Sequence, residues 1–207
     1  MGQDTARPGR EVTERGRPTR DRIVRVAAEL MFHRGVAGTS IPDVQAAAGV
    51  SASQIYHYFG DKHGLVSAVI DHQIEATLDG QRPLLDRLDS IEALEQWRDA
   101  ALANQRAQDC EGGCPIGSLA SELAETDPGT RTALVTAYDR WEAPIRAGLI
   151  AMHERGELRP EADPDELATA MMAAVQGGLL LTQVRRDPEP LRAALTTVIE
   201  RIRSLRP

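Results

Sequence analysis

The apolar positions of this chain recur almost everywhere at helical spacing. From about Asp21 to His33, Ile23, Val26, Ala27, Leu30 and Met31 lie three and four residues apart, and Gly35 closes the segment. Ser40 with Asp43 three residues on, Pro42 in the first turn, an alanine run and Gly49 outline a second, short helix. Ser51 with Gln54 is a capping box that opens a third helix at Ala52, and Gly60 ends it. Asp61 caps a longer fourth helix carrying Leu65, Val66, Val69 and Ile70 to about Asp79. Beyond the break at residues 80 to 83, helical segments are predicted over 84 to 88 and, capped by Ser90, over 91 to 108. A loop from Glu111 to Pro115 precedes a short helix from Ser118 to Glu125.

Asp127-Pro128 then opens a long pattern that ends at Gly156. Pro144 lies inside it, which costs roughly 3 kcal/mol in a straight helix and predicts a kink or a break. Asp163-Pro164 starts a helix to about Arg186. Pro188 and Pro190 separate that helix from a last one over 191 to 205, with Leu191, Leu195, Val198, Ile199, Ile202 and Leu205 on one stripe. Nothing alternates with the period of a strand. The fold class is all-α: an N-terminal three-helix head, then a C-terminal helical bundle.

The chain divides into a disordered basic tail (residues 1–18, with prolines at 8 and 18), a head (19–65) and a body (66–207). At 207 residues and 42% hydrophobic it can bury a core without staples. Cys110 and Cys114 form no disulfide framework, and no apolar leader opens the sequence, so a reducing cytoplasm is the expected compartment. The net charge of −7 is distributed unevenly. Up to residue 66 nine basic residues face seven acidic ones, for +2, while 15 against 24 in the remainder give −9. A polyanion would therefore be met at the N-terminal end.

The segment from Ser51 to Lys62 holds three of the seven aromatic residues and the only lysine. Two short helices joined through Gly49-Val50 make a helix-turn-helix whose second member directs Ser53, Gln54, Tyr56 and His57 outward, with Ile55 and Phe59 toward the core and Phe32 filling the remaining gap. The run from Thr39 to Ser51, with Ile55-Tyr56-His57-Tyr58-Phe59 and Lys62-His63-Gly64-Leu65, resembles a TetR-family repressor over roughly Arg20 to Leu65. The resemblance implies a two-fold dimer that sets two recognition helices into an inverted-repeat operator on double-stranded DNA. It also implies a small hydrophobic effector that changes their spacing.

On that resemblance Ser53 and Gln54 read base edges, although Gln54 is equally explained by the capping box. Tyr56 and Lys62 meet the backbone, His57 meets either base or backbone, Ser40 or Thr39 adds a phosphate hydrogen bond, and Arg20 and Arg22 are the nearest tail-side cations. Candidate effector contacts are Trp97, Gln105, Cys114, Tyr138, Trp141, Met152, Met171, Met172 and Gln176, although large apolar residues at helical spacing are more often core. The stretch from Cys114 to Glu122 also resembles the matching segment of LmrA-type drug-responsive repressors within the family, which implies an inducible regulator of an efflux pump or a neighbouring oxidoreductase.

Leu167 to Val184 carries no charge, yet Gln176, Gln183, two threonines and Gly177-Gly178 favour a buried helix with an apolar dimer face over a membrane span. The five histidines show no ligand spacing with carboxylates, and no phosphate loop appears, so neither an enzyme nor a cofactor is expected. Two alternatives remain open at this level. One is a constitutive helical adaptor protein, and the other a thiol-based redox sensor using Cys110 and Cys114.

Overall fold

The computed structural model describes residues 14–207 as an all-helical chain. Nine α-helices are found among the described residues: α1 (Arg17–Arg34), α2 (Ile41–Ala48), α3 (Ala52–Phe59), α4 (Lys62–Gln81), α5 (Ile91–Ala107), α6 (Pro115–Leu123), α7 (Pro128–Glu154), α8 (Pro164–Arg185) and α9 (Glu189–Ser204). The tail expected over residues 1–18 lies outside the described residues up to residue 13. Its last part is already helical, because Pro18 sits in the first turn of α1, where a missing N–H costs nothing.

Local punctuation sets most boundaries. Ser40 with Asp43 and Ser51 with Gln54 both close reciprocal capping boxes. Asp61, Ser90, Asp127 and Asp163 each accept backbone N–H bonds at the start of their helices. Two expectations are corrected, and a third loses one of its two alternatives, the break at Pro144. α6 starts at Pro115 rather than Ser118, because the Cys114 thiol takes the capping role and accepts the Gly117 N–H at 3.3 Å. Residues 84 to 88 form one turn of 3-10 helix, Leu85–Arg87, since five residues behind a proline cannot sustain a nucleus. α7 runs through Pro144 unbroken, with Trp141, Ile145 and Leu149 buried on either side of it.

In the head, Ile23, Val24, Ala27, Met31, Val44 and Ile55 pack together with Leu65 and Val66 of α4. The same core continues along α4 through Val69, Ile70, Ile74 and Leu78 into the body, so α4 belongs to both parts. α8 packs between α7 and α9. It is long and apolar enough to cross a membrane, yet Leu167, Ala168, Met171, Met172, Val175 and Thr182 are buried in the bundle. Its opposite side is exposed rather than buried, with Leu180 and Val184 60% and 72% accessible.

Candidate DNA-binding face, cavity and the junction between them

α3 buries only Ile55 and exposes Ser53, Gln54, Tyr56 and His57 on one side. Tyr56 is 51% exposed, whereas Tyr58 packs against the core, as its position three residues from Ile55 implies. The Gln54 carbonyl accepts the Ser51 backbone N–H at 2.9 Å and the Ser51 hydroxyl at 3.2 Å. Its amide NH2 is the part left for other work. Ser40 is exposed, but its hydroxyl donates to Asp43, and that bond holds the Asp43 carboxyl below its usual range. Thr39 corrects the expectation of a phosphate contact: it is fully buried and its hydroxyl donates to the Gly35 carbonyl at 2.8 Å. Arg22 is exposed. Arg20 lays its guanidinium 5.6 Å above the Phe59 ring and pairs with Asp21 at 3.8 Å.

A cavity of about 510 Å³, partly open to solvent, lies in the body, walled by α4, α5, the start of α6, α7, α8 and α9. Of the residues expected to line it, Trp97, Gln105, Cys114 and Trp141 do. Tyr138, Met152, Met171, Met172 and Gln176 do not. Met152, Met171 and Met172 are core residues of α7 and α8, buried in the bundle. Tyr138 donates its hydroxyl to Gln176 at 3.2 Å behind the cavity wall, and burial pushes its pKa far up. Burial likewise pushes the Cys114 thiol up, more than the Gly117 N–H and Gln176 offset, so it is protonated at neutral pH.

The cavity has neighbours that spacing did not reveal. Gln73, Thr77 and Gln81 of α4 line it at four-residue intervals, and Asn104 and Gln108 of α5 join them. Gln81 accepts the Trp97 indole N–H at 2.8 Å. Phe32, expected to fill the head's core, instead leaves it and reaches the cavity. It stands so close to Gly112, whose φ is +82°, that a Cβ there would lie 2.6 Å from the ring.

Three contacts tie the body to the turn between α1 and α2. Glu122 in the last turn of α6 accepts the backbone N–H of Val36 at 2.8 Å and of Ala37 at 2.6 Å. Lys62, at the start of α4, donates to the carbonyl of the same Val36 at 2.6 Å. Its expected phosphate role therefore has an internal competitor. Next to it, His63 meets Asp127, the cap of α7, at 3.1 Å, and Asp127 is held down to about 2, chiefly by the Thr130 hydroxyl and then by His63. Gly35 leaves room for the Glu122 carboxylate, which a side chain there would meet at 3.1 Å.

Comparison with known proteins places both halves. Residues 23–69 match the family of bacterial regulatory proteins, tetR family, and residues 90–198 match the tetracyclin repressor-like C-terminal domain. This chain is a TetR-family transcriptional regulator. It is 29% identical to the HTH-type transcriptional repressor DhaR of Mycobacterium sp. (strain GP1) over 188 residues, covering 88% of this chain and 91% of the relative. It is 30% identical over 181 residues to an HTH-type transcriptional regulator of Mycobacterium tuberculosis (strain ATCC 25618 / H37Rv), covering 83% and 88%. A TetR transcriptional regulator from Chloroflexus aurantiacus, solved at 1.80 Å, superposes with a TM-score of 0.79 at 30% identity, covering 94% of this chain and 98% of that one. TetR regulators bind DNA and are not enzymes, which agrees with the helix-turn-helix at the head.

Proposed function

We propose that this TetR regulator is a repressor that binds an inverted-repeat operator as a homodimer and is released by a small, largely hydrophobic effector. The observation that carries the effector response is the junction. Two walls of the cavity, α4 and α6, hold opposite edges of the peptide between Val36 and Ala37: Lys62 of α4 donates to its carbonyl, and its N–H, that of Ala37, donates to Glu122 of α6. α4 is 20 residues long, about 30 Å, so a tilt of about 5° at the cavity moves its head end by roughly 2–3 Å. An effector that binds one arrangement better than the other shifts the population of recognition-helix spacings.

On this reading Ser53, Tyr56, His57 and the Gln54 amide face the groove and its backbone, with Lys62, Ser40, Arg20 and Arg22 on flanking phosphates. The homodimer is supported by the stripe of Ala173, Gly177, Leu180, Leu181 and Val184 along α8, which this fold leaves without a partner. A repressor of this kind works in the cytoplasm, where the chromosome is. The DhaR relative is named a repressor, which supports the sign of regulation.

The test is selection from a random double-stranded DNA pool by the purified full chain at about physiological salt. Enrichment of a two-fold symmetric site is expected, with half-sites spaced to match a dimer. Folded protein that enriches no symmetric sequence would sink the proposal.

A further inference from the structure

The cavity's lining also states what kind of molecule it accepts. Among the described residues that line it, Arg82 is the one charged side chain, and its guanidinium is paired with Asp79 at 2.9 Å and Asp86 at 3.8 Å. Arg82 is also half exposed, at the rim. The interior therefore offers neither a free cation nor a free anion. A charged ligand would lose its hydration with no free countercharge to answer it, a cost of several kcal/mol per ion.

The interior is not simply greasy either. Trp97 has its N–H paired with Gln81, but the Trp141 indole N–H and the Gln105 side-chain carbonyl have no partner, although both residues are only 4% exposed. Buried polar groups left unpaired are uncommon and destabilising, and these two sit on side chains that face one cavity. The rest of the wall mixes apolar side chains, among them Trp97, Leu179 and Leu195, with the uncharged polar groups of Gln73, Thr77 and Asn104.

We propose that the effector is an uncharged molecule with an apolar frame that carries both a carbonyl-type acceptor for the Trp141 N–H and an N–H or O–H donor for Gln105, as in a neutral carboxamide. This deepens the reading of the cavity as the effector site and rests on it. A hydrocarbon fills the apolar wall but leaves both orphans unpaired. A carboxylate or amidinium satisfies one and brings a charge that nothing answers.

Calorimetric titration of the full chain with 2-naphthamide, 2-ethylnaphthalene, 2-naphthoate and 2-naphthamidine separates these cases on one frame. Binding of the amide is expected to be about tenfold tighter than that of the hydrocarbon, and tighter still than that of either ion. Trp141→Phe keeps a ring and removes the N–H, so it should cost the amide about tenfold and leave ethylnaphthalene within about twofold. Gln105→Met gives the same pattern from the other side, and guards against a Trp141 variant that fails to fold. An ion that binds as tightly as the amide, a hydrocarbon that equals it, or no binding of any of the four at millimolar concentration overturns the proposal. Operator release is read in a separate titration with DNA. Amide binding without release would leave the ligand class standing and remove the regulatory reading.

Discussion

Replacing Glu122 with alanine removes the carboxylate that holds the α1–α2 turn to α6. Two N–H groups lose a charged acceptor, one partly buried at Val36 and one exposed at Ala37. Hydrogen bonds to charged groups contribute about 1.5 to 3 kcal/mol each, but water takes over most of the exposed one, so the loss is about 2 kcal/mol. That corresponds to roughly a 30-fold increase in local opening of the turn. Amide hydrogen exchange reads it directly. The Val36 amide should exchange about 30-fold faster, the Ala37 amide should change less, and the midplane of α7 should stay protected. If the loss is global rather than local, the melting temperature falls by about 4 to 8 °C. Glu122→Gln keeps one acceptor oxygen and should recover only part of the difference.

The same variant tests coupling. A turn that no longer follows α6 should show a smaller ratio of operator affinities without and with effector, while effector affinity in the absence of DNA changes little. Unaltered exchange at Val36 would refute the energetic argument. Faster exchange with an undiminished effector response would show that the carboxylate only stabilises the turn.

Three further outcomes are expected. Lys62→Met should weaken binding about equally on all DNA sequences and reduce the salt-dependence slope by about 1 if the ammonium leaves Val36 for a phosphate, and an unchanged slope in filter binding would assign it to the turn alone. Leu180→Glu with Val184→Glu should convert a dimer to a monomer in sedimentation equilibrium without unfolding α8, because both side chains point away from the bundle. Thr130→Val removes the main support of the Asp127 carboxylate, whose folded value of about 2 lies below the ordinary 3.8. A depressed carboxylate stabilises above its unfolded value and loses that contribution as the pH falls, so wild type and variant should differ at neutral pH and converge between about pH 4 and 2 in acid unfolding.

The head was legible because its information is local. Ser40-Asp43 and Ser51-Gln54 are boxes closed within one turn, Gly49 and Gly60 end the helices they follow, and Ile55 and Tyr58 fall on the core side by counting alone. The cavity was legible only in part, because a lining residue is defined by what stands opposite. Trp97, Gln105, Cys114 and Trp141 were found as large or polar groups on apolar faces. Met152 and Met171 have the same signature and lie buried in the bundle instead. Gln73, Thr77 and Gln81 repeat every four residues, but a polar stripe on a long rod reads as its solvent face until α5 is seen against it. Glu122 had no local signal at all, since its partners lie 85 and 86 residues upstream. Phe32 was assigned inward on hydrophobicity, and it turns the other way, to where Gly112, lacking a Cβ, leaves room for its ring.

The charge pattern and the junction bear on one another. A head of +2 on a body of −9 orients the molecule toward DNA, but the short-range ties across the junction run the opposite way: the body supplies the carboxylates of Glu122 and Asp127, and the head supplies backbone N–H groups and His63. Val36 is the point at which both wall helices act, with its N–H held by α6 and its carbonyl by α4. On the proposed reading, sliding α6 relative to α4 pulls on both bonds and turns the backbone at Val36. Four residues further on the chain caps α2 at Ser40, whose box with Asp43 fixes the direction in which α2 leaves the turn. On that reading a rotation at Val36 is passed to the helix-turn-helix as a rigid unit rather than absorbed by a loose loop. On the proposed reading, an effector in the cavity needs to change only the relation between two of its walls for the recognition helix to move.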